Sequence, residues 1–238
     1  MRFVGVAIWA LLLVGVAHSQ NLSKIREMIE NGELVTARTQ LQQSLKTESA
    51  AARILLARVF YLQGNLPQAL LELKKVPAAE WTAEAFWVRG LVLAEQGKVP
   101  ESLADLKAAG YLGNNYQYVM DWGATAWRFG HLDVAKEAFA FAEALEASQP
   151  WPFLNLGMVL FSQKQPEMAL QHLKQGLAAL QQAGQPLVHP AYPELYYWMG
   201  QCHEALKNFS MAREMYREAL TVDPDYTAAV TALAELRK

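Results

Sequence analysis

The sequence predicts an all-α fold, a solenoid of about six helical hairpins followed by one C-terminal capping helix. Three observations carry that expectation. A short residue frame returns six times along the 238 residues. Between the frames, apolar residues recur at spacings of three and four, as in Ala52, Leu55, Leu56, Val59 and Phe60. No alternating strand pattern appears, and no Asn-Gly turn joins two β-branched runs.

The frame itself is a small residue, a turn residue seven positions later, a second small residue five later and a bulky apolar residue four later. Its copies are Ile25/Gly32/Ala37/Leu41, Ala57/Gly64/Ala69/Leu73, Gly90/Gly97/Ser102/Leu106, Gly123/Gly130/Ala135/Phe139, Gly157/Lys164/Ala169/Leu173 and Gly200/Lys207/Ala212/Tyr216. The turn residues step by 32, 33, 33, 34 and 43 positions, which makes the frame an internal repeat. Each copy reads as helix A, a tight turn and helix B. The repeats run approximately over 21–46, 49–78, 81–112, 115–148, 150–182 and 193–224, and residues 225–238 form the capping helix.

The N-terminal segment is different in kind. Met1-Arg2 is a short positive start, and Phe3 to Val16 is an apolar run of 14 residues. Ala17-His18-Ser19 then supplies small residues at the two positions a signal peptidase reads. The run is shorter than the roughly 20 residues of a spanning helix. Residues 1–19 therefore read as a cleaved signal peptide, with an uncleaved N-terminal anchor as the alternative. The mature solenoid, 20–238, is expected in the bacterial periplasm or secreted, without stable membrane insertion.

Within the repeats, Pro67 and Pro100 each fall three residues after a turn glycine, where a first helical turn tolerates the missing N–H. The helix-A glycines 90, 123, 157 and 200 give up about 1 kcal/mol of helix propensity each against alanine. Set opposite Ser102, Ala135, Ala169 and Ala212, they would let two helices approach closely. The large residues Leu106, Phe139, Leu173 and Tyr216 are then expected to fill the space between neighbouring pairs.

Tyr196, Met199, Gly200 and His203, then Ala212, Tyr216, Ala219 and Asp223-Pro224, resemble a tetratricopeptide repeat. So do Phe153, Leu156, Gly157 and Leu160 followed by Ala169. The resemblance spans essentially all of 21–238. It implies a right-handed superhelix whose concave face is lined mostly by A helices. The first copy departs most, as terminal repeats do. One irregularity interrupts the array: the last step is nine residues longer than the one before it, and the excess falls in Gln182 to Tyr192. With Gly184, Pro186 and Pro190 there, it reads as a surface loop.

No catalytic or metal motif is present. Of five histidines, His18 lies in the signal, and His131, His172, His189 and His203 form no H-E-x-x-H pattern. Cys202 is the only cysteine, which rules out an intrachain disulfide and a Cys-rich zinc site, and it reads as a buried small side chain. There is no nucleophile elbow and no phosphate loop. A formal charge of -2 with scattered bases points away from nucleic acid. The expectation is a protein that is not an enzyme and uses no cofactor.

The family offset assigns the groove-facing positions of the A helices. They are Ile54, Arg58 and Tyr61, then Trp87 and Leu91, then Met120, Ala124, Trp127 and Arg128. The fifth repeat adds Trp151, Leu154, Asn155, Met158 and Phe161, and the sixth Tyr197, Trp198 and Gln201. Four tryptophans thus share this face, while Trp122 falls on the packing face and Trp81 near a helix start. Large rings on such a face pack between adjacent A helices or line a groove for an apolar peptide segment. The groove lacks the ladder of Lys and Asn that some family members use to clamp acidic C-termini. The expected role is a scaffold that holds an apolar segment of a protein or peptide partner, with Asn155, Gln201 and the two arginines fixing its register. The alternatives are an envelope assembly factor working through convex or edge surfaces, and a binder of glycan or a small ligand.

Overall fold

The computed structural model describes residues 21–45 and 49–236. The segment read as a signal peptide lies outside them. The described chain is all helical, with α1 over 21–30. There follow α2 (Leu34–Ser44), α3 (Ala50–Leu62), α4 (Leu66–Lys74), α5 (Ala83–Glu95), α6 (Val99–Gly113) and α7 (Tyr116–Arg128). The series ends with α8 (Leu132–Leu145), α9 (Pro150–Ser162), α10 (Pro166–Gln182), α11 (Ala191–Ala205), α12 (Phe209–Val222) and α13 (Thr227–Glu235). The chain divides into two compact units, Met1–Ala109 and Gly110–Lys238.

Every turn residue of the frame adopts the left-handed conformation: Gly32, Gly64, Gly97 and Gly130 at φ 72 to 79°, and Lys164 and Lys207 at 62° and 61°. The reason is the closure of helix A. Asn65 N donates to Phe60 O at 2.8 Å while Gly64 N donates to Tyr61 O at 2.8 Å, a Schellman pair that satisfies the last carbonyls of α3. Asn208 to His203 and Lys207 to Glu204 repeat the pair at the end of α11, at 2.8 and 2.9 Å. Helix starts are capped locally in several repeats, as where Asn65 Oδ1 accepts from Gln68 N and Asn115 Oδ1 from Tyr118 N.

The helix-A glycines have a more direct job than expected. A Cβ on Gly90 would lie 2.7 Å from Leu106 Cγ, one on Gly123 2.5 Å from Phe139 Cε1, and one on Gly157 2.7 Å from Leu173 Cγ. Gly200 meets the Tyr216 ring in the same way. The bulky fourth residue of the frame therefore seats on the glycine of its own hairpin, instead of filling the gap between pairs. The second small residue comes close too: Ser102 Oγ donates to Gly90 O at 2.7 Å.

In the first unit, Ile25, Leu41, Leu55, Leu56, Val59 and Phe60 form one apolar cluster across α1 to α3. In the second, Trp122 is fully buried, as its packing-face position implies. Helix α13 covers the last hairpin, with Ala229, Ala232 and Leu233 packed on Ala212, Tyr216 and Ala219. The long step is resolved by extending both neighbours: α10 runs on to Gln182 and stops at Gly184 (φ 62°), and α11 starts at Ala191. The loop between them is fastened at its base. Tyr192 Oη donates to Gln185 O at 3.2 Å, and the His189 ring lies 5.9 Å from that of Trp151.

Candidate functional site

The A-helix faces of the two units carry different chemistry. In the first, the assigned positions are closed by ions. Arg58 Nη2 pairs with Glu30 Oε1 at 2.7 Å, and Arg58 Nη1 reaches Glu84 Oε1 at 3.4 Å. Arg26 takes the other oxygen of Glu84 at 2.6 Å. The guanidinium of Arg58 also lies 5.1 Å over the Trp87 ring, a cation–π contact. Trp87 is only 6% exposed, and Ile54 is buried, so neither opens to a groove. Tyr61 and Leu91 are half-buried. The sequence expectation that Arg58 fixes a partner's register does not hold, because its charge is engaged within the fold by Glu30 and Glu84.

The second unit leaves its rings partly open. Met120, Trp127, Trp151, Asn155, Met158, Phe161, Tyr197 and Trp198 are half-buried, Ala124 and Arg128 are exposed, and Leu154 is buried. Arg128 lies 4.8 Å over Phe129. From α9 onward the rings touch in series. Phe161 meets Trp198 edge-on at 5.6 Å, and Trp198 meets Tyr197 at 5.5 Å. Tyr197 in turn meets Tyr226, at the start of α13, at 5.7 Å. Such pairs are worth about 1 kcal/mol each beyond the area they bury. They hold the row rigid while its outer edge stays in solvent.

Behind the row, Tyr216 is fully buried. Its hydroxyl accepts from Gln201 Nε2 at 2.6 Å and donates to Glu204 Oε2 at 2.8 Å. Gln201 thus points into the fold and not at a ligand. Burial first, then Glu204, pushes the Tyr216 hydroxyl well above the usual phenol range. Burial also raises Tyr197 and Tyr226, helped by nearby carboxylates. Cys202 is fully buried, and desolvation pushes its thiol up to about 12, where it is inert as a nucleophile. Among the described residues no group of three or more His, Cys, Asp or Glu is placed to hold a metal ion.

Sequence reasoning missed Tyr226, Glu194 and Glu204. Tyr226 belongs to the cap, outside the frame, so no offset could assign it. The two acids flank the assigned positions on α11, where an offset keyed to ring positions does not reach them.

Family models match two stretches of the chain. The tetratricopeptide repeat model covers 148–225, and the tetratricopeptide repeat-like domain model covers 14–117. These two stretches match tetratricopeptide repeats. Among solved structures, it is similar to PilF of Pseudomonas aeruginosa, with a TM-score of 0.70 and 18% identity over 93% of this chain and 98% of that one. It is similar to PilW, described as a widely conserved type IV pilus biogenesis factor, at 0.69 and 16% over 90% and 97%. YrrB, described as a tetratricopeptide repeat protein with an unusual peptide-binding site, aligns at 0.66 and 19% over 81% and 96%. At these identities the likeness is one of fold. No curated protein matches by sequence. Among the described residues no helix is long and apolar enough to cross a membrane.

Proposed function

We propose that this tetratricopeptide repeat protein is a non-catalytic interaction module, and that the A-helix face of its second unit holds an apolar segment of a partner protein. One observation carries the reading: the row Phe161, Trp198, Tyr197 and Tyr226 is locked ring to ring yet keeps an open edge, where the first unit shields Trp87 beneath Arg58. Preorganised aromatic edges suit binding because little entropy is lost when a partner lands on them. YrrB, with its peptide-binding site, lends the same fold to this kind of use. Trp127, Trp151, Asn155 and Met158 extend the face along α7 and α9.

The test is affinity capture from an envelope extract, wild type against the double variant Trp127→Ala, Trp151→Ala. The expected outcome is at least about tenfold weaker capture with an unchanged helical circular dichroism spectrum. Equal capture by both proteins would place the site elsewhere. The setting is the envelope on the strength of Met1 to Ser19, and N-terminal sequencing of the protein from the cells should start at Gln20. An intact Met1 would mean an anchored or internal protein.

A second reading has an observation of its own. Met168, Phe209 and Met211 are exposed at the starts of the B helices α10 and α12, and Val230 on α13. Such residues suit assembly through the outer surface. Sedimentation of the purified chain that gives a monomer at all accessible concentrations would remove self-association from that reading.

A further inference from the structure

The aromatic row ends on carboxylates. Glu194, in the first turn of α11, and Asp223, just after α12, line a cleft of about 380 Å³ together with Tyr226, Val188, Pro190, Pro193 and Val222. Because Tyr226 is also the last ring of the row, cleft and row share a wall. The acids that act on Tyr197 are Glu204, Glu194 and Glu235, and those that act on Tyr226 are Glu194, which is also hydrogen-bonded to its hydroxyl, and Asp223. Among the described residues no Lys or Arg forms an ion pair with any of these four acids. Where this protein buries carboxylates for structure it treats them differently. Glu72 is paired with Arg53 and Lys75, Glu84 with Arg26 and Arg58, and Asp105 with Arg89. Among the described residues, Lys207, Arg213 and Arg217 are exposed and do not figure among the charges at either ring.

Resting on the interaction reading above, we propose that the partner segment is basic as well as apolar. One Lys or Arg side chain enters the cleft between Glu194 and Asp223 and lies against the Tyr226 ring, while apolar neighbours rest on Tyr197, Trp198 and Phe161. Charge complementarity selects this occupant. A cation between Glu194 and Asp223 offsets the two like charges of the cleft and gains a ring face at the same time. The walls of proline, valine and tyrosine suit the aliphatic stem of a long basic side chain. An acidic segment would add like charge, and a purely apolar one would cover the carboxylates without a counter-charge.

The experiment uses arrays of short synthetic peptides with varied apolar positions and one central position fixed as Lys, Arg, Gln or Glu. They are probed with the purified protein and with two variants, Glu194→Gln with Glu235→Gln, and Trp198→Ala. The Lys and Arg arms are expected to bind about tenfold tighter than the Gln arm at low salt, with the Glu arm weakest. High salt and the double Gln variant should both close that gap while leaving the Gln arm unchanged. Equal binding by the Lys, Arg and Gln arms overturns the inference. If that equal binding is lost in Trp198→Ala, the aromatic face stands and only the charge assignment falls. Absence of binding in every arm overturns both. Melting curves accompany each variant, and should the double change unfold the protein, Glu194→Gln alone and the salt comparison carry the test.

Discussion

At the scale of single residues, burial decides which side chains are available for function and which belong to the fold. His203 illustrates the second kind. It is buried on α11, and desolvation, with Lys174 next, lowers its affinity for a proton, while Glu214 opposes only in part. In the unfolded chain a histidine titrates near its ordinary value of about 6.5. Above that pH both states hold a neutral ring and the packing of His203 is intact. As pH falls through the window below about 6.5, the unfolded chain takes up a proton that the fold resists, so stability declines. His203→Gln should flatten that part of a melting-temperature profile taken on acidification. A profile that declines as steeply in the variant would assign the loss to other groups. The same scale sets the limit of what could be read from sequence. Trp87 and Gln201 sit at the same helical offsets as open residues. Their partners, the guanidinium of Arg58 for Trp87 and the hydroxyl of Tyr216 for Gln201, lie 15 or more positions away, so no local pattern announces them.

At the scale of the element, the hairpin was largely legible. Turn positions and helix order follow from the frame, because left-handed closure and helical packing recur at fixed spacing. The two lysines at turn positions take the same left-handed φ as the glycines. What spacing could not tell is which residue sits on the helix-A glycine, since either of two helix-B positions satisfies the period. The contacts give opposite signs for two substitutions. Gly123→Ala gains about 1 kcal/mol of helix propensity but forces a Cβ into the buried Phe139 ring, a strain of about 1–3 kcal/mol, so it should destabilise on balance. Lys207→Gly removes a left-handed strain of about 1–2 kcal/mol at the cost of some chain entropy, and should stabilise by up to about 1 kcal/mol. Urea unfolding of both variants checks the pair; a stabilised Gly123→Ala would mean that Phe139 is not seated as described. The inserted loop is an element of a third kind. Its sequence showed a break, but not that Tyr192 and His189 fasten its base while Leu187 and Val188 stay exposed.

At the scale of the whole molecule, one repeat plan supports two surfaces of different character. The first unit ties its A helices together with Arg26, Arg58, Glu30 and Glu84, and the second presents rings bordered by acids. The repeat fixes the scaffold; the residues that differ between copies set what each face can hold. That division explains why fold and function were unequally legible. Periodicity reports what copies share, and recognition depends on what they do not share. The most direct test of the account is site-specific photo-crosslinking in cells, with a photoreactive phenylalanine analogue placed in turn at Trp127, Met158 and Trp198 on the second unit's A-helix face, and at Met211 on the outer side of α12. The account expects one common partner band from the three A-helix positions and none from Met211. A partner that crosslinks from Met211 and from none of the other three would contradict it.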